Sequence, residues 1–545
     1  MRTDLRRWLW VSALVMCPVI GAAQDGARHD LVIRNGRVLD GAGNPWVLAD
    51  VAVDGDRIVR VGRVPQSGRR EIDARGRYVS PGFIDVMDQS GSTLLKNGRA
   101  ENKLHQGVTT VIAGEGGTPV PAAEIGEYFA TLERQGISVN FGTYYSATQA
   151  RVEVMGRSAG TPAPDQIAQM QDKVRTAMQA GTFGLATALI YPPGSFQTTS
   201  ELTEIVRASA ACGGIYATHM RDEGEDLLNA IGEAIEIGEQ AGVKVHIFHL
   251  KAAYAPQWGQ LMPKAIAMVD AARKRGLDIA ADIYPYTAGG TGLSITVPNW
   301  VYEDGQDEAI RRLRDPQVRE RLKRELAAGS QPGWSNLVQA AGGWDRVVLA
   351  NAHNPKYDAY RFQSIAAIAA ELGRDPADVA WDIVVEAMPK RAMSLFFMMD
   401  EQDVETALRA PWVAIGSDAA AAEQFGEIDG LGLPHPRAYG TFPRIIAEYV
   451  KRRPVLSLEE AVRKMTSWPA QHLGLRDRGV IREGLAADLT IFDYDKIDDV
   501  ADWKSPTAVP VGIDYVVVGG QVVLDPDGHT GKLPGKVLKG GCALR

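Results

Sequence analysis

The chain has 545 residues, 45% of them hydrophobic and 23% charged, with a formal charge of −8. That length suits a large barrel with a smaller domain, and the composition is globular throughout. The acidic balance leaves no basic footprint for nucleic acid or for an anionic membrane.

The first 23 residues form a unit of their own. Arg2, Arg6 and Arg7 against Asp4 are followed by an apolar run, 8–20, and then Gly21-Ala22-Ala23. This is the pattern of a secretory signal cut after Ala23. The run is too short to span a bilayer comfortably, so an exported protein, periplasmic or secreted, with no transmembrane span after cleavage is expected. Met16 and Pro18 around Cys17 suit lipid attachment poorly. Only Cys212 and Cys542 survive processing, which is no disulfide framework and leaves their pairing open.

Residues 30–40 (DLVIRNGRVLD) and 51–62 (VAVDGDRIVRVG) alternate in hydropathy around the turn pairs Asn35-Gly36 and Asp54-Gly55. These are hairpin signals. A matching set lies at 487–492 (ADLTIF) and 515–524 (YVVVGGQVVL). The two ends, 24–80 and 480–545, are therefore expected to build one small β-sandwich. Between them, over 81–479, short apolar runs alternate with helical stretches such as 225–241 and 262–275. The runs are 110–113, 184–190, 214–218, 244–248, 278–283, 347–350 and 412–416. Repeated βα units of this kind predict a parallel (β/α)₈ barrel, an α/β fold. The stretch 300–343, with Arg311, Arg312, Arg314, Arg319, Arg321 and Arg324, breaks the rhythm and reads as a solvated helical insertion.

Nine histidines are present. His29, His529 and His472 read as structural, and His105 as a packing or surface residue. His353 and His435, in loops, stay as candidates. His219 and His249 differ, because each ends an apolar strand, where a barrel builds its active site. Alternation puts Ile215, Ala217 and His219 on one face of their strand, and Val245, Ile247 and His249 on one face of the next. His246 would then face the helices. Thirty residues separate His219 from His249, about one βα unit, so adjacent strands deliver them side by side. Paired neutral imidazoles are good zinc ligands. Asp418 ends a later strand, where it is placed either to move protons or to cap the following helix.

Several blocks carry a resemblance. Residues 30–40, 80–85 (SPGFID) and 106–111 (QGVTTV) look like the opening of an amidohydrolase. Residues 184–194 (GLATALIYPPG), 216–223 (YATHMRDE), 249–252 (HLKA) and 282–288 (DIYPYTA) resemble N-acyl-D-amino-acid deacylases. So do 416–418 (GSD), 435–444 (HPRAYGTFPR) and 479–488 (GVIREGLAAD). The resemblance implies that His219 and His249 bind metal and that Asp418 is the catalytic aspartate. It also implies that Tyr191, Lys251 and Arg437 help hold the carboxylate of a small-molecule substrate. A lysine and an arginine suit an anion, as charge-assisted donors.

Two departures qualify it. The superfamily's His-x-His after Pro-Gly-Phe-Ile-Asp is replaced here by Met87-Asp88-Gln89, and methionine is a poor zinc ligand. The family's metal-binding cysteine turn is replaced by Gly114-Glu115-Gly116-Gly117, where Glu115 is the available ligand. The resulting expectation is a site for one zinc ion, held by His219, His249 and Glu115, with Asp418 as general acid and base. The expected reaction is hydrolysis of the amide bond of an N-acyl-D-amino acid or a related carboxylate-bearing amide. A cyclic amide, lactone or peptide-like bond is the second reading, and a non-catalytic binding protein without metal is the third.

Overall fold

The computed structural model describes residues 28–331, 333–428 and 432–544, so the expected signal segment, 1–23, lies outside the described residues. Eight strands form the barrel. They are β1 (Phe83–Asp85), β2 (Val108–Ala113), β3 (Asn140–Thr143 continuing as Tyr145–Ser146), β4 (Gly184–Ala188), β5 (Ile215–His219), β6 (Lys244–Ile247), β7 (Ile279–Ile283) and β8 (Val413–Ile415). Each pairs in parallel with the next. The ring closes between β8 and β1 through a parallel bridge of Asp88 with Ala419 and a 2.9 Å bond from the Asp418 N–H to the Met87 carbonyl.

The intervening helices sit where hydrophobic periodicity changes from two to 3.6. The stretches read at 225–241 and 262–275 are the helices Leu227–Ala241 and Leu261–Lys274. Val245 packs on the first of these, so tightly that a Cβ on Gly238 would lie 2.3 Å from it. Inside the ring, Ile112, Ala186, Ala217 and Ala414 share a core with Tyr144 and Phe248, whose rings meet across the barrel at 5.8 Å.

His246 belongs to that interior, beside Phe248 at 5.6 Å, and not to the helix-facing side expected for it. The expected alternation would have turned His249 away from the mouth. The strand ends at Ile247, however, and a left-handed backbone at His249 (φ 36°) swings its ring back to the opening.

The two chain ends build a nine-stranded sheet folded over one core, in which Ile33, Val51 and Val79 meet Leu489, Ile491 and Val517. Its strand His29–Val38 pairs with Val47–Asp54, Gly68–Asp73 and Tyr78–Pro81. The C-terminal tail then runs along β3, where the Leu538 N–H bonds the Phe141 carbonyl at 2.7 Å. A disulfide between Cys212 and Cys542 pins the tail beside β5. No helix among the described residues is long and apolar enough to cross a membrane.

Between β7 and β8 the expected insertion is helical, with Gln306–Arg314, Pro316–Ala328 and Leu337–Ala341. Its arginines are largely spent on neighbours: Arg319, for instance, pairs with Asp378 and Asp382 at 3.2 and 2.6 Å. One strand reading needs correction. Val347–Asn351 is not in the ring but pairs antiparallel with Met393–Phe396, which also pairs with Gly289–Gly292. A short apolar run carries no record of its partner, and only tertiary pairing assigned it to this second sheet.

Candidate active site

The C-terminal ends of the strands open on a cavity of about 300 Å³. It is lined by Gln89, Glu115, Tyr191, His219, Glu223 and His249, and on the other side by Lys251, Asp418 and Arg437. All seven residues singled out in the sequence therefore reach one space. His353 is not among the lining residues. His435 is, but its Nε2 faces the Ala288 carbonyl at 3.0 Å and its Nδ1 accepts from the Arg437 N–H, so its ring is committed to the wall. His105 stacks on Phe425.

The loop after β2 ends the strand with Gly114 in a left-handed conformation (φ 108°), and the next side chain, Glu115, turns inward. Its Oε1 lies 2.7 Å from His219 Nδ1 and 3.3 Å from His249 Nε2. One donor atom from each of the three lies within 4.8 Å of the others, so a single ion could touch all of them. Glu223 stands behind both rings, 3.5 Å from His219 Nε2 and 3.0 Å from His249 Nδ1. A carboxylate on the far nitrogen of each imidazole is the usual way a protein orients metal-binding histidines. Sequence reasoning missed Glu223, although its place four residues after His219 was a signal.

Charge supports the same geometry. Burial opposes ionisation of Glu115, but hydrogen bonds with His219 and His249 hold its carboxyl well below the usual range. Burial and Lys251 both disfavour a charged His249, yet Glu223 and Glu115 push its pKa up to about 10. Against burial, Glu223 likewise raises Lys251. The pocket is thus built to hold positive charge among carboxylates. Two imidazoles and one carboxylate are a donor set that fits a divalent metal such as zinc.

Opposite this group, Asp418 follows β8 with φ 47°, a left-handed backbone that aspartate tolerates better than most residues. Such strain persists only where neighbours over-determine it. Here Asp85 accepts from the Ser417 N–H at 2.9 Å and from its hydroxyl at 2.5 Å. Lys103, fully buried, reaches Asp85 at 2.9 Å, Asp88 at 2.7 Å, Ser417 Oγ at 2.8 Å and the Ala419 carbonyl at 2.6 Å. This buried ionic clamp, invisible as such in the sequence, grips the residues on both sides of Asp418.

Met87 is buried in the barrel core, as its side chain suits. Gln89 is the surprise. Its amide nitrogen donates to Glu115 Oε2 and, at 3.2 Å, to Asp418 Oδ1, so one neutral group bridges two carboxylates. Arg437 opens the helix Arg437–Ile446 and pairs with Asp418 Oδ2 at 2.8 Å. Lys251 donates to Glu223 at 2.6 Å. Both cations lie against Tyr284, with Arg437 at 4.7 Å and Lys251 at 5.5 Å from its ring. The Tyr191 ring lies tilted against His219, 5.3 Å between centres, and its hydroxyl shares a 2.8 Å bond with Thr291.

The sequence profile of the amidohydrolase family matches residues 70–524. The N-acyl-D-glutamate deacylase and the D-aminoacylase of Alcaligenes xylosoxydans xylosoxydans are 30% and 32% identical to the chain. Each alignment covers 94% of this chain, with 96% and 98% of the respective relative. Among solved structures, the N-acyl-D-glutamate deacylase of Bordetella bronchiseptica, complexed with zinc and a phosphonate mimic of the tetrahedral intermediate, superposes with a TM-score of 0.79. Identity is 28%, covering 94% of this chain and all of that one. A D-aminoacylase structure, described by a binuclear centre with one-metal activation and second-metal attenuation, gives 0.78 at 32% identity. It covers 94% of this chain and 100% of its own.

Proposed function

The chain belongs to the amidohydrolase family, and from that premise we propose that it is a metal-dependent hydrolase of N-acyl-D-amino acids or closely related carboxylate-bearing amides. The observation that carries this reading is the convergence of Glu115, His219 and His249 opposite Asp418, with Lys251 and Arg437 in the same cavity.

Glu115, His219 and His249 would hold one zinc ion, which when bound supplies a Lewis acid for the scissile carbonyl and makes water easier to deprotonate. Asp418 takes the proton from the attacking water and returns it to the leaving nitrogen. Glu223 keeps both imidazoles turned to Glu115. Lys251 and Arg437 bind the substrate's carboxylate, each exchanging part of its present ion pair for it, and the Tyr191 hydroxyl adds a neutral donor. The single ion is supported by Gln89, whose amide bridges Glu115 and Asp418 where a second cation would otherwise be wanted, and by Met87. Export to the periplasm or beyond is supported by the basic and apolar opening of the sequence and by the Cys212–Cys542 disulfide, which suits an oxidising compartment.

The test pairs metal analysis with a substrate screen. We expect close to one zinc per chain and turnover of N-acetyl-D-amino acids over their L forms. A metal-free protein that zinc does not activate, or turnover of lactones and cyclic amides with none of N-acyl-D-amino acids, would overturn it.

A further inference from the structure

Beyond Tyr191 lies a second cavity of about 560 Å³, and Tyr191 and Arg391 line both it and the catalytic one. The second cavity carries Arg157, Lys390 and Arg391 in its lining and no acidic residue. Arg391 comes from the segment just before Met393–Phe396, in the insertion between β7 and β8, and its place was not legible in the sequence.

Its guanidinium has a prepared seat. Arg391 Nη2 donates to Thr291 Oγ1 at 3.1 Å, the same hydroxyl that bonds Tyr191. The cation lies 5.3 Å from the Tyr191 ring centre. Gly292 makes the room, since a Cβ there would sit 1.9 Å from Arg391 Nε. Thus Tyr191 links Arg391 to His219 by successive ring contacts.

What separates Arg391 from the other cations of the catalytic cavity is its lack of a carboxylate. Lys251 has Glu223 and Arg437 has Asp418, whereas Arg391 makes no ion pair among the described residues. With a divalent ion bound, the two positive charges of the metal and those of Lys251, Arg437 and Arg391 face Glu115, Glu223 and Asp418. The surplus is positive, which one substrate carboxylate leaves only partly neutralised.

We propose that Arg391 is a specificity-determining residue that binds a second anionic group of the substrate, so that the preferred amide is a dicarboxylate. This rests on the reading of the cavity as an amide-hydrolysing site. The second anion has two chemical sources, the amino-acid side chain or the far end of the acyl group, and both present a carboxylate to a planar guanidinium.

The experiment compares wild type, Arg391→Met and Arg391→Lys, all zinc-loaded, on two isosteric pairs. N-acetyl-D-glutamate against N-acetyl-D-glutamine reports a side-chain anion, and N-succinyl-D-leucine against N-succinamoyl-D-leucine an acyl anion. In wild type, kcat/KM should favour the acid in one pair by about ten- to a hundredfold. Arg391→Met should bring that ratio near one, with Arg391→Lys between. A merely structural role would lower both members of a pair together and leave the ratio standing. Calorimetric binding of glutarate to the same proteins gives a readout without turnover, and should weaken by a similar factor in Arg391→Met. If no amide is cleaved but glutarate binding still depends on Arg391, the hydrolase reading falls and the anion subsite stands. Ratios and glutarate affinity unmoved by Arg391→Met would overturn the proposal.

Discussion

Replacing Lys103 by methionine tests whether the buried clamp positions the catalytic loop. The change keeps the length of the side chain and removes its charge. Asp85 and Asp88 are then left without their cation at sites that are essentially inaccessible to solvent. Breaking a buried ion pair by removing one partner costs about 3–5 kcal/mol, because the charge left behind is desolvated and uncompensated. Part of that cost is relieved here. Burial already holds Asp85 up at about 6 despite Lys103, and without the lysine it can take up a proton at neutral pH. We therefore expect the lower end, about 3 kcal/mol in urea unfolding at pH 7, and more at pH 8.5 than at pH 6. Because Lys103 also grips Ser417 and Ala419 on either side of Asp418, kcat should fall at least about tenfold, the loss that a misplaced proton-transfer group entails, while KM changes little. Adding Asp85→Asn to Lys103→Met should restore part of the stability, with a coupling of about 1–3 kcal/mol. A single variant within 1 kcal/mol of wild type, with kcat intact and no coupling, would refute the argument.

Glu115→Gln should weaken zinc affinity by at least about tenfold, and His219→Ala and His249→Ala should lower metal content further; unchanged zinc stoichiometry after dialysis against chelator would remove the residue from the site. Asp418→Asn should retain metal and lose about 10²–10⁴ of kcat, and full activity would exclude it from proton transfer. His472 is buried against Trp468 and His246, and burial depresses its pKa from 6.5 to about 4. The unfolded chain thus binds a proton that the native state resists, so stability is full above pH 6.5 and falls by about 3 kcal/mol towards pH 4. His472→Phe should flatten this part of the stability curve relative to wild type, and parallel curves would contradict it. Cys212→Ala frees the C-terminal tail and should cost about 2–5 kcal/mol, read by chemical denaturation with and without reductant; identical midpoints would show that the tail holds itself.

Much of the architecture was legible because it is local. A strand needs a short apolar run, a helix a 3.6-residue stripe, and a barrel their regular alternation, so six of the eight ring strands and the pairing of the two β-rich ends could be anticipated from residue order. His219, His249 and Asp418 were legible for the same reason, since each lies at or just past the end of a strand and strand ends form the mouth. The Val347–Asn351 strand was misassigned because its apolar run does not encode which edge it meets. His246 was misplaced because alternation stops where the strand stops, and the backbone at His249 decides the rest. Gln89 and Glu223 were marked only by position, just after Pro-Gly-Phe-Ile-Asp and four residues past His219, and Lys103 and Arg391 not at all: a lysine and an arginine are ordinary surface residues until the chain around them closes. Their roles come from distances between segments tens to hundreds of residues apart. The sequence by itself determined which strands end in which side chains. Only the closed ring and its insertion decided which of those side chains meet, because convergence depends on tertiary packing and on where water is excluded.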